Sequence, residues 1–356
     1  MKGKVLIVVS TDLRNGAEQV MKSLSVFLAN EGLTCQVLIL TKKTSDFWEV
    51  DLPRHRVTFL NASNKYIGLF SLAMKLLSWR GQYQYVITTQ TMLGSFIGFM
   101  KRLGFAKIPR LVARESTVAF NRFKGAKLAV YKFWYALGYP GVDVIVAQTG
   151  EMASVLKSNL GEKMGSKVRM IPNPIDLKEI QTRGEAKMTS DHESPYIVSA
   201  GRLIPEKGYD VLIRAFHALN RQDLVLVVLG QGPENDRLHQ LIKSLELEGR
   251  VHLPGHQSNP MPYLKHARLC VVSSNMEGFP NVLLQMMALN GNVVSTECAD
   301  GIANIPGLPT CKPGEVALLT GLMRNQLDDH KDPSFFVDYL ESRGFSGFWE
   351  KVSHEN

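Results

Sequence analysis

Three short stretches of this 356-residue chain carry residue types suited to holding a phosphorylated ligand. The first is Asn15-Gly16-Ala17-Glu18, between a short apolar run and a helical pattern. Glycine at that point lets the backbone approach a ligand, and the N–H groups of a helix start attract anions. The second is Gly201-Arg202-Leu203-Ile204-Pro205-Glu206-Lys207-Gly208, again between a strand-like run and a helical one. Arg202 offers a planar fork and Lys207 a point charge, a pair able to hold a diphosphate. The third is Glu277-Gly278-Phe279-Pro280-Asn281-Val282-Leu283-Leu284-Gln285. Glu277 can accept hydrogen bonds from sugar hydroxyls, and Asn281 is predicted to cap a helix over residues 282–289. A fourth candidate is Arg114-Glu115-Ser116, after the strand-like residues 111–113. Its two charged side chains would line a substrate site or form a surface ion pair.

The elements that must position these residues follow from periodicity. Residues 4–10 and 35–40 are apolar, β-branched runs flanking a helical pattern over 16–30 that stops at Gly32. Further strands are predicted at 57–60, 85–88, 110–113, 142–147 and 168–171. Residues 182–195 turn polar and read as a linker. The pattern then restarts, with strands at 196–200, 224–229, 251–253, 269–272 and 293–295 and helices at 209–219 and 234–245. This alternation predicts an α/β chain of two Rossmann-like, doubly wound domains. The first covers residues 1–180 and the second 181–334, with a terminal helix over about 335–356 packing back on the first. Ligands of open parallel sheets bind at the carboxyl ends of the strands, so the candidate loops are expected to face an interdomain cleft.

Apolar residues make up 45% of the chain and charged residues 21%, which is the composition of a folded globular protein. Residues 1–180 hold 25 Lys and Arg against 12 Asp and Glu, whereas residues 181–356 hold 16 against 21. The densest stretch, residues 101–132, has nine basic side chains and one acid, Glu115, with aromatics in and just after it. A basic face with aromatics suits anionic lipid headgroups or a lipid-linked diphosphate, and nucleic acid is not expected as a partner. No apolar stretch approaches the roughly 18–20 residues needed to span a bilayer. The apolar run near Met1 is shorter than a signal-peptide core. The expected location is therefore cytoplasmic, peripheral on the inner face of the membrane. Cys35, Cys270, Cys298 and Cys311 lack metal-type spacing and are expected to be reduced thiols.

Taken together, the motifs resemble the retaining glycosyltransferases of family 4, which have the GT-B fold, and within it the bacterial surface-polysaccharide enzymes. The resemblance rests on Pro172-Asn173-Pro174-Ile175-Asp176, Gly201-Arg202-Leu203 with Glu206-Lys207-Gly208, Gly230-Gln231-Gly232-Pro233-Glu234, Val251-His252-Leu253-Pro254-Gly255, and Glu277 to Leu284. Their order and spacing match over roughly residues 168–310; in the N-terminal half, residues 15–18 fit as well. The resemblance implies transfer of a hexose or N-acetylhexosamine from a nucleotide diphosphate sugar, with UDP the expected carrier. The acceptor would be a saccharide, expected to be lipid-linked. It assigns Arg202, Lys207 and Glu277 to catalysis. Donor binding falls to Gly16, Gly201, Gly278, Phe279, Pro280, Asn281, Val282 and Gln285, and acceptor binding to Arg114 and Glu115. The family pattern is Glu-x7-Glu, and its second carboxylate receives ribose hydroxyls. Gln285 stands there instead, and loss of a charge-assisted bond costs about 1 kcal/mol, so ribose binding is expected to be weakened or altered. There is no Asp-x-Asp pair, so no essential metal or other cofactor is expected, and Arg202 and Lys207 would supply the positive charge. Two alternatives remain open: a nucleotide-sugar epimerase of the same fold, and a catalytically silent membrane-surface binding protein. A dinucleotide oxidoreductase is disfavoured, because the first βα turn lacks Gly-x-Gly-x-x-Gly.

Overall fold

The structure is a computed structural model that describes residues 3–13, 15–45, 47–48, 56–79, 81–117, 119–188, 195–329 and 331–354. The chain divides into two compact units, Met1–Pro174 with Phe345–Asn356, and Ile175–Gly344.

The first unit holds a seven-stranded parallel sheet in the order β3-β2-β1-β4-β5-β6-β7. The strands are β1 (Lys4–Val9), β2 (Thr34–Thr41), β3 (Val57–Ala62), β4 (Tyr85–Thr89), β5 (Arg110–Arg114), β6 (Val144–Ala147) and β7 (Val168–Met170). The helices are α1 (Gly16–Asn30), α2 (Lys65–Ser78), α3 (Thr91–Arg102), α4 (Ala119–Arg122), α5 (Gly125–Gly138), α6 (Gly150–Leu160) and α7 (Glu162–Gly165). Val5 to Val9 are wholly buried because helices cover both faces of the sheet, which explains their unbroken apolar run. One face packs α2, α3, α5 and α6 through Leu72, Ile97, Tyr135 and Leu156. The other packs α1 through Met21, Leu24 and Leu28. Asn64 starts α2 by accepting from the N–H groups of Tyr66 and Ile67, each at 3.0 Å.

The second unit holds a six-stranded parallel sheet in the order β10-β9-β8-β11-β12-β13. Its strands are β8 (Tyr196–Ala200), β9 (Val225–Leu229), β10 (Val251–His252), β11 (Leu269–Val272), β12 (Val293–Thr296) and β13 (Thr310–Cys311). Its helices are α8 (Leu177–Gly184), α9 (Tyr209–Leu219), α10 (Asn235–Ser244), α11 (Met261–His266), α12 (Asn281–Leu289), α13 (Val316–Asp328) and α14 (Val337–Glu341). The last helix, α15 (Phe345–Ser353), belongs to the first unit. Phe345 stacks on Phe27 and Trp349 sits edge-on to Tyr85. Arg110 donates to the carbonyls of Val352 and His354 at 2.7 and 2.6 Å, which closes the end of α15.

Several boundaries differ from the sequence expectation, for local reasons. The chain passes into the second unit after Pro174 rather than at 180, because Ile175 N–H donates to the Arg343 carbonyl at 2.9 Å and bridges Gly344. Residues 335–344 stay in the second unit, and only α15 returns. The polar stretch at 182–195 begins inside α8, whereas residues 189–194 lie outside the described residues. Two-residue β13 is not among the expected strands, because Thr310-Cys311 stands between Pro309 and Lys312-Pro313 with no apolar run to mark it. Asn281 is the first residue of α12 rather than its cap; Pro280 holds the cap position.

Candidate functional site

In the second unit, the loops after β8 and β11 are tied together at the carboxyl edge of the sheet. Asn275 donates to the Glu206 carbonyl through its backbone N–H at 2.7 Å, and to the Pro205 carbonyl through its side chain at 2.9 Å. The Ser273 hydroxyl donates to the Lys207 carbonyl at 3.0 Å. Gly208, with φ +59°, packs so close to the Ser273 carbonyl that any Cβ would overlap it, so glycine is required on both counts. A similar close approach holds where Gly230 meets the Gly201 carbonyl.

This tying brings Lys207 and Glu277 into an ion pair, about four-fifths buried on each side. The Ser274 hydroxyl donates to the same Glu277 oxygen at 2.9 Å. Glu277 N–H donates to the Cys298 carbonyl at 2.8 Å, which fixes the backbone of its loop. Arg202 lies on the Lys207 loop with its side chain exposed. Gly201 and Gly278 flank the pair, Phe279 and Pro280 are buried, and Asn281, Val282 and Gln285 are half-buried on the first turns of α12. The result is a cation–carboxylate pair, with an exposed guanidinium on the loop that carries its lysine and the start of α12 four residues after its carboxylate. Such an arrangement can meet phosphate oxygens with positive charge and hydroxyls with a carboxylate. The Tyr209 hydroxyl, buried here beside Ser199, was not singled out from the sequence. Burial, and then the charge of Glu277, raise its pKa and keep it protonated.

In the first unit, Gly16 is exposed at the start of α1. Arg114 and Glu115 are not a surface ion pair. Each is only 2% exposed, so neither presents its side chain to a ligand in this structure. Arg114 donates to Asn173, while its Nε and Nη1 are buried without a partner among the described residues. Glu115 accepts from the hydroxyls of Thr91 at 2.8 Å, Tyr135 at 3.2 Å and Tyr139. Burial draws the Arg114 guanidinium down to about 10 and pushes the Glu115 carboxyl up to about 7, so for both groups loss of water outweighs mutual attraction.

Sequence reasoning missed the companions of this cluster. Glu18, in the first turn of α1 with Gly16, is buried beside Arg114, with Gln90 donating to it at 3.4 Å; burial raises its pKa and so favours the protonated acid. Gln90 holds φ +85°, an uncommon conformation for a residue with a side chain. Asp12 accepts from the N–H groups of Thr44 and Ser45 at 2.6 and 2.7 Å, joining the loops after β1 and β2. An acidic residue at the carboxyl end of a strand was the available signal for Asp12; nothing in the spacing pointed to Thr91, Tyr135 or Tyr139. Among the described residues no cluster of three or more His, Cys, Asp or Glu could hold a metal ion. The four cysteines are free and buried.

Comparison with known proteins gives matches to both halves. The sequence model described as "Glycosyltransferase Family 4" matches residues 14–179, and "Glycosyl transferases group 1" matches residues 181–307. The chain is 33% identical over 218 residues to an N-acetylgalactosamine-N,N'-diacetylbacillosaminyl-diphospho-undecaprenol 4-alpha-N-acetylgalactosaminyltransferase of Campylobacter jejuni, covering 60% of this chain and 58% of that protein. It is 34% identical over 158 residues to the lipopolysaccharide core biosynthesis glycosyltransferase LpsE of Rhizobium meliloti, covering 44% and 45% of the two chains. The chain spans about half the length of the curated relatives it matches. Among solved structures, Anabaena HepE in complex with UDP and glucose superimposes with a TM-score of 0.78 at 17% identity, covering 99% of this chain and 100% of that one. At that identity the likeness concerns the fold.

Proposed function

The chain belongs to glycosyltransferase family 4, the group 1 enzymes of GT-B fold, and on that premise we propose that it moves a hexosyl or N-acetylhexosaminyl group from a nucleotide diphosphate, UDP in our reading, to a saccharide hydroxyl with retention of configuration. The observation that carries this is the Lys207–Glu277 pair on two interlocked loops, with Arg202 exposed on the Lys207 loop. Donor binding would exchange the pair's partners: Lys207 and Arg202 take the diphosphate, and Glu277 accepts from hydroxyls of the sugar. The bond from the anomeric carbon to the phosphate oxygen then breaks while the acceptor oxygen bonds on the same face. The acceptor's proton passes to the departing phosphate. Lys207 and Arg202 stabilise the charge that leaves, which is electrostatic catalysis without a covalent sugar–enzyme step. They also supply the positive charge that a divalent ion would otherwise bring.

The relatives' substrates support a lipid-carried acceptor: one is named for a diphospho-undecaprenol saccharide, the other for lipopolysaccharide core biosynthesis. In our reading the protein works in bacterial glycan assembly at the inner face of the membrane. The basic, aromatic stretch at 101–132 meets anionic lipid, although Arg110 and Arg114 of that stretch are buried and take no part in the contact. Among the described residues no helix is long and apolar enough to cross a membrane. Arg114 and Glu115 would serve the acceptor side by holding the loops that carry Gly16 and Asn173. The test is a thermal-shift screen of nucleotide sugars in the presence of EDTA, followed by the anomeric configuration of the sugar released or transferred. A donor that stabilises the fold and reacts with retention supports the reading. Stabilisation by none, inverted product, or activity that appears only when Mg²⁺ or Mn²⁺ is added would overturn the corresponding part.

A further inference from the structure

The helix layer formed by α2, α3 and α5 has an outer face that the catalytic reading leaves unused. Helix α2 is apolar on both sides. Its inner side seats Leu69, Leu72 and Leu76 in the core. Its outer side presents Ile67, Phe70, Met74 and Leu77, which recur at helical spacing and are between 40% and 70% exposed. A soluble helix ordinarily turns charge outward; one that is apolar all round has a second apolar medium against it. Helix α10 of the second unit shows the ordinary case, with Leu238, Leu241 and Ile242 toward the core and its other side chains polar. On the opposite side of the first sheet, α1 and α15 expose no large apolar side chain among the described residues.

The same layer continues through α3 to α5. Leu103 and Phe105 are exposed just beyond α3, and Val130 and Phe133 on α5. Lys124, Lys127 and Lys132 are exposed on or at the start of α5. Between residues 52 and 142 the chain has 14 Lys and Arg and a single acid, Glu115, which is buried. Beside α2, a shallow groove of about 500 Å³ runs between Phe59 and Leu60 of the edge strand and Phe70, Met74 and Lys75 of the helix. An apolar face without acids, bordered by lysines, complements an anionic lipid surface; a second copy of the same face would meet it with like charge. The helix, 14 residues and about 21 Å long, is too short to span a hydrocarbon core of about 30 Å, so it would lie along the surface.

We propose that α2 is the membrane-inserting element of this protein. Its Ile67–Phe70–Met74–Leu77 face lies in the headgroup–acyl boundary of an anionic bilayer, and α5 holds the phosphates alongside. This deepens the lipid-surface part of the proposed function and rests on it. Anchoring through two sites also divides the binding into a salt-sensitive part from the lysines and a salt-resistant part from α2.

The experiment uses the full chain with phosphatidylcholine vesicles that contain or lack about 30 mol% phosphatidylglycerol, at about 0.1 and 0.5 M NaCl. The double variant Phe70→Asp, Met74→Asp is expected to bind anionic vesicles about tenfold more weakly at both salt concentrations. The triple variant Lys124→Gln, Lys127→Gln, Lys132→Gln should lose only the part that salt removes. Phe70→Cys carrying an environment-sensitive NBD label should brighten and shift to the blue on anionic vesicles. A bound protein whose label stays in a water-like state would overturn the insertion of α2 while leaving the basic contact standing. A wild-type dimer in sedimentation velocity that Phe70→Asp disperses would assign the face to a second copy instead. Failure of the wild type to bind either vesicle would sink the lipid-surface reading and this one with it. The donor screen reads the second unit, so its failure is separable from all of these outcomes.

Discussion

Replacing Glu115 by Gln tests whether the buried cluster in the first unit behaves as its geometry implies. The carboxyl is caged by Thr91, Tyr135 and Tyr139 and cut off from water, and burial lifts it from 4.5 to about 7. In the unfolded chain it titrates near its ordinary value. Between about pH 4.5 and pH 7 the folded state therefore holds a proton that the unfolded state has lost. Stability must fall as pH rises through that window and level off above it. At about 1.4 kcal/mol per pH unit, the lift corresponds to about 3 kcal/mol, an order-of-magnitude figure for a fully buried group. The amide introduced by Glu115→Gln cannot ionise and should remove this loss. The assay is urea unfolding followed by tryptophan fluorescence from pH 4.5 to 8.5, comparing wild type with Glu115→Gln. The stability difference between them should shift in favour of the variant by about 3 kcal/mol across the window and stay flat beyond it. Parallel profiles for the two proteins would refute the reasoning, because they would mean Glu115 stays ionised in the folded state. An opposite slope would mean that Arg114 governs the carboxylate despite its burial.

Lys207→Ala and Arg202→Ala should each reduce transfer by orders of magnitude with little change in thermal stability for exposed Arg202; unchanged turnover in Arg202→Ala would remove it from the diphosphate site. Gln285→Glu should keep or tighten donor affinity, measured by calorimetry, if the residue lies about 2.7–3.2 Å from the ribose hydroxyls; a large loss would show a site rebuilt around a neutral side chain. If wild type is inert with every donor and Gln285→Glu is active, the protein is a silenced member of its family. Gly230→Ala should destabilise the second unit by several kcal/mol in urea unfolding, since its Cβ would overlap the Gly201 carbonyl, and a neutral result would mean that loop can move aside.

Local patterning along the chain was enough to place the two parallel sheets, nearly every strand, and the loops that hold Gly16, Arg202, Lys207 and Glu277. These are local matters: strand and helix periods, a glycine where backbones crowd, and cations in a loop after a strand can all be read within about ten residues. The tertiary structure decided what depends on residues far apart in the chain. Arg114 and Glu115 look like surface charges in sequence, yet three helices and the neighbouring strands close over them, and only that burial sets their ionisation. The return of the last helix to the first unit is an expectation of the sequence, but its partners, Phe27 stacked on Phe345 and Tyr85 edge-on to Trp349, appear only in the fold. Helix α2 shows the same division. Its spacing reveals apolar residues on both sides, but only packing assigns Leu69, Leu72 and Leu76 to the core and turns Phe70 and Met74 outward. Burial is a property of what arrives from elsewhere in the chain, and a period along one segment cannot report it.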